Sequence, residues 1–385
     1  MNNKPISIRS QALLISLLSI LSVASSCSTL IAKKNTSGVV VARRAEIRSS
    51  TAVVAAKLLE VNRGDEVEIL EALDVIDPTD NSRKERWLRV RAQDEENTEG
   101  WIESRNVMPH DVHESARALA AEDKGIPSQA AGQLRASSNL RLNPDRSVND
   151  NIIMRLDSGS SFEITGWKRV PKPKASETIE SDVAPKAGSA PQSVTKNTKG
   201  SDEEKEPEET NELWYKVRLP PDISPAPAGW IYGKQVELMV PSDIIFYRTG
   251  REFVGWQRLD GDSSSSESGS KGKDAGKEVR PGSWVILEKS SSDQPHTLDE
   301  PDFDRIYVLG YDKRDQEHYT AYRSPDLKGF LPCRVDGSGE NKTFTIRVQD
   351  EGGQVKDMQY GIFKDTRGYL KINAPGVVPK EKKRK

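Results

Sequence analysis

The sequence predicts an all-β protein with two small barrels, a β-rich C-terminal domain and disordered inserts. Short stretches that alternate apolar and polar residues, separated by turns with Gly or Asp, are typical of half-buried strands. One ordered set of strand motifs occurs twice along the chain. A single connecting segment between the two copies, residues 111–124, has the composition of a helix. Together these observations favour small β-domains joined in series.

Residues 1–26 have the three parts of a secretory signal peptide. A polar, positively charged start precedes an apolar run from Ala12 to Ala24, and small residues follow. The apolar run is shorter than the ~20 residues that a membrane-spanning helix needs. We therefore expect the mature protein to begin at Cys27, with a short tether over residues 27–38.

The end of this segment resembles the lipobox of bacterial lipoproteins, with the residues Val23, Ala24, Ser25, Ser26 and Cys27. The resemblance implies that the thiol of Cys27 carries a lipid that anchors the exported protein to a membrane. Ala24 departs from the pattern, because Leu is commonest there. An ordinary secretory signal that leaves a free cysteine is the alternative. In an organism with two membranes, Ser28 after the cysteine favours the outer membrane, facing the periplasm.

The charge balance excludes one class of partner. The precursor has 57 basic and 59 acidic residues, and Lys4 and Arg9 belong to the signal segment. A nucleic-acid-binding protein normally carries a clear basic excess, so we expect no nucleic acid partner. If Cys27 is lipidated, Cys333 has no partner for an internal disulfide.

The repeated motifs occupy residues 39–109 and 133–240. Each copy has a strand ending in Arg, a turn glycine, an alternating strand, then W-x-x-V-R and G-W-I. The matching positions are 45–48 and 138–141, Gly64 and Gly159, Trp87 and Trp214, and Gly100-Trp101-Ile102 and Gly229-Trp230-Ile231. A helical linker, residues 110–132, joins the copies. Residues 171–211 interrupt the second copy and contain almost no large apolar residue, which predicts a disordered insert.

In this order the motifs resemble the bacterial SH3 domain family, over roughly half of the mature chain. The resemblance implies two small SH3-like barrels, with grooves in which aromatic side chains contact the ligand. Members of this family commonly contact peptidoglycan peptides or neighbouring proteins. The candidate ligand-binding residues in this chain are Trp87, Trp101, Trp214, Tyr215, Trp230 and Tyr232.

These aromatic residues could instead fill the barrel cores. Core packing is the expectation for Trp101 and Trp230, which belong to the G-W-I motif. Trp87 and Trp214 are expected where a loop meets a strand, with one indole face packed and the other available to a ligand.

Residues 241–375 form the β-rich C-terminal domain. A Ser, Gly and Lys loop insert occupies residues 260–282, and a basic tail occupies residues 376–385. The predicted strands are SWVILE (283–288), FDRIYVLGY (303–311), HYTAYR (318–323), FTIRV (344–348) and YLKI (369–372).

No motif for catalysis, cofactor binding or metal binding is present. The spacing of His110 and His113 and the acidic run Asp299–Asp304 could suggest a metal site, but we interpret them as a helix start and a solvated turn. Cys333 lies in an apolar, strand-like context, which indicates a buried thiol. We therefore expect no catalytic, cofactor or metal site.

The leading hypothesis is a non-catalytic cell-envelope lipoprotein whose barrels bind peptidoglycan or an envelope protein. Its membrane contact would be the lipid on Cys27. Two alternatives stay open at this point. One is a cell-wall-targeted enzyme with an unrecognised active site in residues 241–375, and the other is a structural spacer without a saturable ligand.

Overall fold

A computed structural model describes residues 37–52, 54–77, 80–173, 209–248, 250–260, 281–292 and 294–375. The predicted signal peptide, Cys27, most of the predicted tether, most of both predicted inserts and the basic tail lie outside these residues. Within them the protein is mostly strands arranged in four antiparallel sheets, which confirms the all-β prediction. No described helix is long and apolar enough to cross a membrane.

The first sheet is curled and has seven strands in the order β3-β2-β6-β5-β4-β1-β7. Its strands are β1 (Ser37–Val40), β2 (Arg44–Arg48), β3 (Lys57–Asn62), β4 (Glu66–Asp77), β5 (Asp80–Ala92), β6 (Glu99–Glu103) and β7 (Val107–Pro109). Gly64 turns the chain into β4 with a φ of 91°, a conformation that glycine adopts without strain. The strand β1 begins inside the segment predicted as tether.

Helix α1 (His110–Glu122) follows the first sheet and occupies the start of the predicted linker. A second curled sheet comes next, in the order β10-β9-β13-β12-β11-β8-β14. Its strands are β8 (Ala130–Leu134), β9 (Ser138–Arg141), β10 (Ile152–Leu156), β11 (Ser161–Pro171), β12 (Asn211–Arg218), β13 (Ala228–Tyr232) and β14 (Val236–Leu238). This order is that of the first sheet with every strand number raised by seven.

The repeat extends to an irregularity in the strand pairing. In the first sheet the register of β4 on β5 shifts between Ile69 and Glu71, and in the second sheet β11 on β12 shifts between Ile164 and Gly166. Each shift inserts one extra residue into one strand, which is a β-bulge. The internal repeat predicted from the motifs is therefore present in the backbone.

Two four-stranded sheets complete the chain, in the orders β15-β16-β17-β18 and β19-β20-β21-β22. The strands are β15 (Arg251–Arg258), β16 (Trp284–Ser290), β17 (Arg305–Asp312), β18 (Glu317–Arg323), β19 (Gly329–Asp336), β20 (Thr343–Gln349), β21 (Val355–Lys364) and β22 (Leu370–Asn373). All five predicted strands fall within these elements or overlap them. The two sheets enclose one apolar core, with Val285, Val308, Phe344 and Ile346 at its centre.

Both predicted inserts join neighbouring strands. Pro171 at the end of β11 lies opposite Asn211 at the start of β12. Likewise Arg258 near the end of β15 lies opposite Trp284 at the start of β16. The two ends of each insert are therefore close together, at the same end of a pair of neighbouring strands.

The described chain forms two compact units. The first contains most of the first sheet, and the second contains α1 and the other three sheets. Within the second unit the side chain of Gln129 bonds to the backbone of Cys333 in both directions: its amide donates to the carbonyl oxygen at 3.1 Å, and its oxygen accepts from the N–H at 2.7 Å. This pair fixes the start of β8 to β19.

Candidate functional site

The paired motifs occupy equivalent positions in the two curled sheets. Trp101 lies opposite Arg89 in the first sheet, and Trp230 lies opposite Lys216 in the second. In each G-W-I motif the glycine runs close to the strand ending in Arg. A Cβ added at Gly100 would lie 2.6 Å from the carbonyl oxygen of Arg48, and a Cβ at Gly229 would lie 2.7 Å from Leu140 Cδ1. Only glycine allows this close approach.

The expected roles of the two tryptophan pairs are reversed. Trp87 is 5% exposed and Trp214 is 0% exposed, so neither presents an indole face to solvent. The prediction placed them where a loop meets a strand. The strand β5 begins at Asp80 and β12 begins at Asn211, so both tryptophans lie inside their strands. Trp214 packs against Tyr232, and the centroids of the two rings are 5.6 Å apart.

Trp101 and Trp230, predicted as core residues, are only half-buried. Their cross-strand neighbours are the long cationic side chains Arg89 and Lys216. Arg89 is exposed and pairs with Glu99 at 3.0 Å, whereas Lys216 is buried and its ammonium bonds to Glu122 at 2.8 Å and to Asp123 at 2.9 Å. These two tryptophans are therefore the members of the repeat that keep partial solvent access.

Tyr215 and Tyr232, both candidates from the sequence, line a cleft of about 470 Å³ in the second unit. The cleft lies between the second curled sheet and the strands β15 and β16. Its lining also includes Trp167, Phe253, Lys234 and Glu252 among others. Concave sites of this size with aromatic walls and a few polar groups are typical of ligand pockets.

Trp167 holds one wall of the cleft in place. Its indole N–H donates to Asp302 Oδ1 at 2.6 Å, and its ring meets Tyr215 edge-on with centroids 6.1 Å apart. The other oxygen of Asp302 accepts from the N–H of Leu331 at 2.8 Å. Burial raises the pKa of Asp302, although these two hydrogen bonds oppose the shift. Burial also raises the pKa of Tyr215 to about 12, so its phenol stays neutral at physiological pH.

Glu300 organises the charges beside the cleft. It accepts from Lys289 Nζ at 2.6 Å and contacts His296 Nδ1 at 2.7 Å, and Arg169 lies 3.9 Å away. Burial opposes ionisation of Glu300, but the hydrogen bonds from Lys289 and His296 outweigh it and hold its pKa below the usual range. This carboxylate therefore stays charged and offsets one of the two positive charges that Lys289 and Arg169 bring to the cleft wall.

Two charged residues of the cleft lining take no part in the Glu300 network. Lys234 and Glu252 are both exposed, and neither takes part in an ion pair among the described residues. Lys234 and Glu252 thus place one cation and one anion, each outside any ion pair of the described residues, beside the aromatic walls of the cleft. Such an arrangement suits a ligand that carries both a carboxylate and an amine.

Sequence reasoning did not find Trp167, and it misjudged Asp302. The acidic run that contains Asp302 was interpreted as a solvated turn, but this carboxylate is held by two protein donors. The interpretation failed because its partners come from distant strands. No local motif marks Trp167 either, since it lies in the stretch TGWKRV (165–170).

The remaining candidates for chemistry give no site within the described ranges. No group of three or more His, Cys, Asp or Glu is placed there to hold a metal ion. Cys333 is buried as predicted, and burial raises the pKa of its thiol to about 12. A thiol in that environment is protonated at neutral pH and is a poor nucleophile.

Comparison with known proteins does not assign this chain to a family. No protein-family model matches the chain, and no curated protein matches it.

Proposed function

We propose that this protein is a non-catalytic cell-envelope lipoprotein that binds peptidoglycan through its second SH3-like barrel. The observation that carries the proposal is the cleft, where Tyr215 and Tyr232 of the repeat lie together with Lys234 and Glu252. The peptides of peptidoglycan carry carboxylates and amines on a short chain. They match a cleft that offers charges of both signs and aromatic surface for the remaining atoms.

The site of attachment to the membrane is part of the proposal. The apolar run before Cys27 and the small residues next to it support export and lipidation. We expect Cys27→Ala to move the protein out of the membrane fraction, because acyl chains supply the membrane affinity. Labelling cells with a fatty-acid probe measures this. Equal label on the wild type and the variant would contradict the lipid anchor.

Co-sedimentation of the purified mature chain with peptidoglycan sacculi tests the ligand. We expect saturable binding by the wild type, and weaker binding by Lys234→Glu and by Glu252→Lys. Each loss is expected to be about threefold to tenfold, which corresponds to ~1 kcal/mol for one partly solvated charge contact. The two variants change the net charge in opposite directions. Non-specific attraction to a charged wall would therefore weaken one variant and strengthen the other, whereas a specific site is weakened by both.

Lys313→Glu and Glu317→Lys are matched controls, because both positions are exposed and neither lines the cleft. We expect them to sediment like the wild type. A wild type that does not sediment with sacculi at moderate salt would remove peptidoglycan as the ligand. An envelope protein would then become the first candidate ligand, with the spacer as the alternative.

A further inference from the structure

In each curled sheet one pair of strands continues beyond its β-bulge as an arm. The first arm comprises residues 71–77 of β4 and 80–89 of β5, and the second arm comprises residues 166–171 of β11 and 211–216 of β12. Both arms start at the β-bulge described above. Since Trp87 and Trp214 are equivalent, each residue of the second arm has a counterpart in the first.

One face of the second arm is covered within its own unit. Alternate residues of a strand share a face, so Trp167 and Arg169 lie on one side, with Tyr215 directly opposite Trp167. Trp167 packs against the core of the C-terminal sheets and bonds to Asp302. The side chain of Arg169 is only 11% exposed.

The same face of the first arm is open in the part of the chain that the structure describes. Ala72 and Asp74 stand where the second arm has Trp167 and Arg169, and Ile76 follows on the same side. Ile76 is 54% exposed, and the side chains of Asp74 and Arg86 are 67% and 64% exposed. Because Ile76, Asp74 and Arg86 are all exposed, no described part of the chain covers this face.

The charges of this face are self-complementary. Asp74 on β4 lies opposite Arg86 on β5, with an ion-pair distance of 3.9 Å within the chain, and Ile76 lies opposite Lys84. A two-fold axis parallel to the strands would place β4 of one copy over β5 of another. Asp74 of each copy would then meet Arg86 of the other, and Ile76 would meet the aliphatic stem of Lys84. A surface that fits itself in this way is what an isologous dimer requires.

We propose that the first arm is a self-association surface, occupied by the first arm of a second copy of this chain. The face has about six residues, whereas a stable complex commonly uses about 20–30 residues a side. We therefore expect a weak dimer in free solution. Attachment of both copies to one membrane raises their effective concentration and strengthens the contact.

Sedimentation velocity of the full mature chain, with Cys27→Ser to exclude the lipid, measures the dimer over a range of protein concentration. We expect a concentration-dependent dimer for the wild type. Asp74→Arg and Arg86→Asp should each weaken self-association at least tenfold, because each places like charges across the axis twice. A mixture of the two variants should restore the dimer, because one chain then presents two cations and the other presents two anions.

The mixture is the internal control. It contains the same two variant proteins, and it cannot restore the dimer if either of them is misfolded. The double variant Asp74→Arg with Arg86→Asp restores opposite charges within one chain and should dimerise like the wild type. A wild type that is monomeric at every concentration overturns the proposal and leaves the face to a different protein. Self-association that is unchanged in the single variants, or not restored in the mixture, overturns it as well.

Discussion

The two arms begin from the same backbone and end in different surroundings. Trp167 in the second arm is replaced by Ala72 in the first, and Arg169 is replaced by Asp74. The second arm packs on the C-terminal sheets through Asp302 and Glu300, whereas the corresponding face of the first arm is exposed. A duplicated fold can therefore have a covered arm beside a cleft in one copy and an exposed arm in the other. The difference comes from a few side chains on one face of one hairpin.

The largest expected effect tests which tryptophans form the core of each repeat. Trp87→Ala and Trp214→Ala should each lower the free energy of unfolding by about 3–5 kcal/mol, because both indoles are buried. Trp101→Ala and Trp230→Ala should cost about 1–2 kcal/mol, because these side chains are half-buried. Urea unfolding followed by circular dichroism measures all four. A reversed order would mean that the repeat is packed differently from this description.

A smaller effect tests the equivalence of the two G-W-I motifs. Gly100→Ala and Gly229→Ala should each lower stability by about 1–3 kcal/mol, since the new methyl group would collide with the neighbouring strand. Gly166→Ala is the control, because a Cβ there meets nothing within 4 Å. It should be neutral or slightly stabilising. A large loss at only one of the two motif positions would show that the copies are not equivalent there.

The smallest effect concerns Glu288, which contrasts with the well-paired Glu300. Glu288 is fully buried in β16, and neither carboxylate oxygen has a hydrogen-bond partner. Burial raises its pKa from the ordinary 4.5, although Arg323, Arg305 and Arg251 oppose the shift. The folded state therefore holds the proton more tightly than the unfolded state. This contribution to stability is full below about pH 4.5 and is lost as the pH rises through the raised pKa.

Glu288→Gln should remove this pH dependence. We expect the variant to be more stable than the wild type at pH 7, by on the order of 1 kcal/mol, and to lose that advantage near pH 4. Thermal unfolding at several pH values measures the difference. A variant that is less stable than the wild type at pH 7 would show that the ionised carboxylate is stabilised by the nearby arginines.

The repeat was predictable because its determinants are local. Gly64 and Gly159 mark turns, and Gly100 and Gly229 mark the close strand pairs, and each of these requirements acts over a few residues. The alternation of apolar residues then predicted the strands and the all-β class. Even so, the lengths of β5 and β12 were not visible in the motifs, and this misplaced Trp87 and Trp214 relative to the strand ends.

The cleft could be predicted only in part. Tyr215 and Tyr232 were candidates because they lie beside motif tryptophans. Trp167 and Asp302 were not, because their contact joins residues 135 positions apart and depends on how the C-terminal sheets pack. Sequence patterns describe a strand's own two faces, but they do not identify the distant surface that will cover one of them.

The bond between Gln129 and Cys333 has a consequence for the order of folding. It joins residues 204 positions apart, so the second unit cannot close until nearly the whole chain is available. The strands of the first sheet all come from residues 37–109, so that sheet can form from a nascent segment. If the signal peptide directs export from the N-terminus, the first repeat folds while the remainder is still crossing the membrane. The cleft would then be the last part of the protein to take shape.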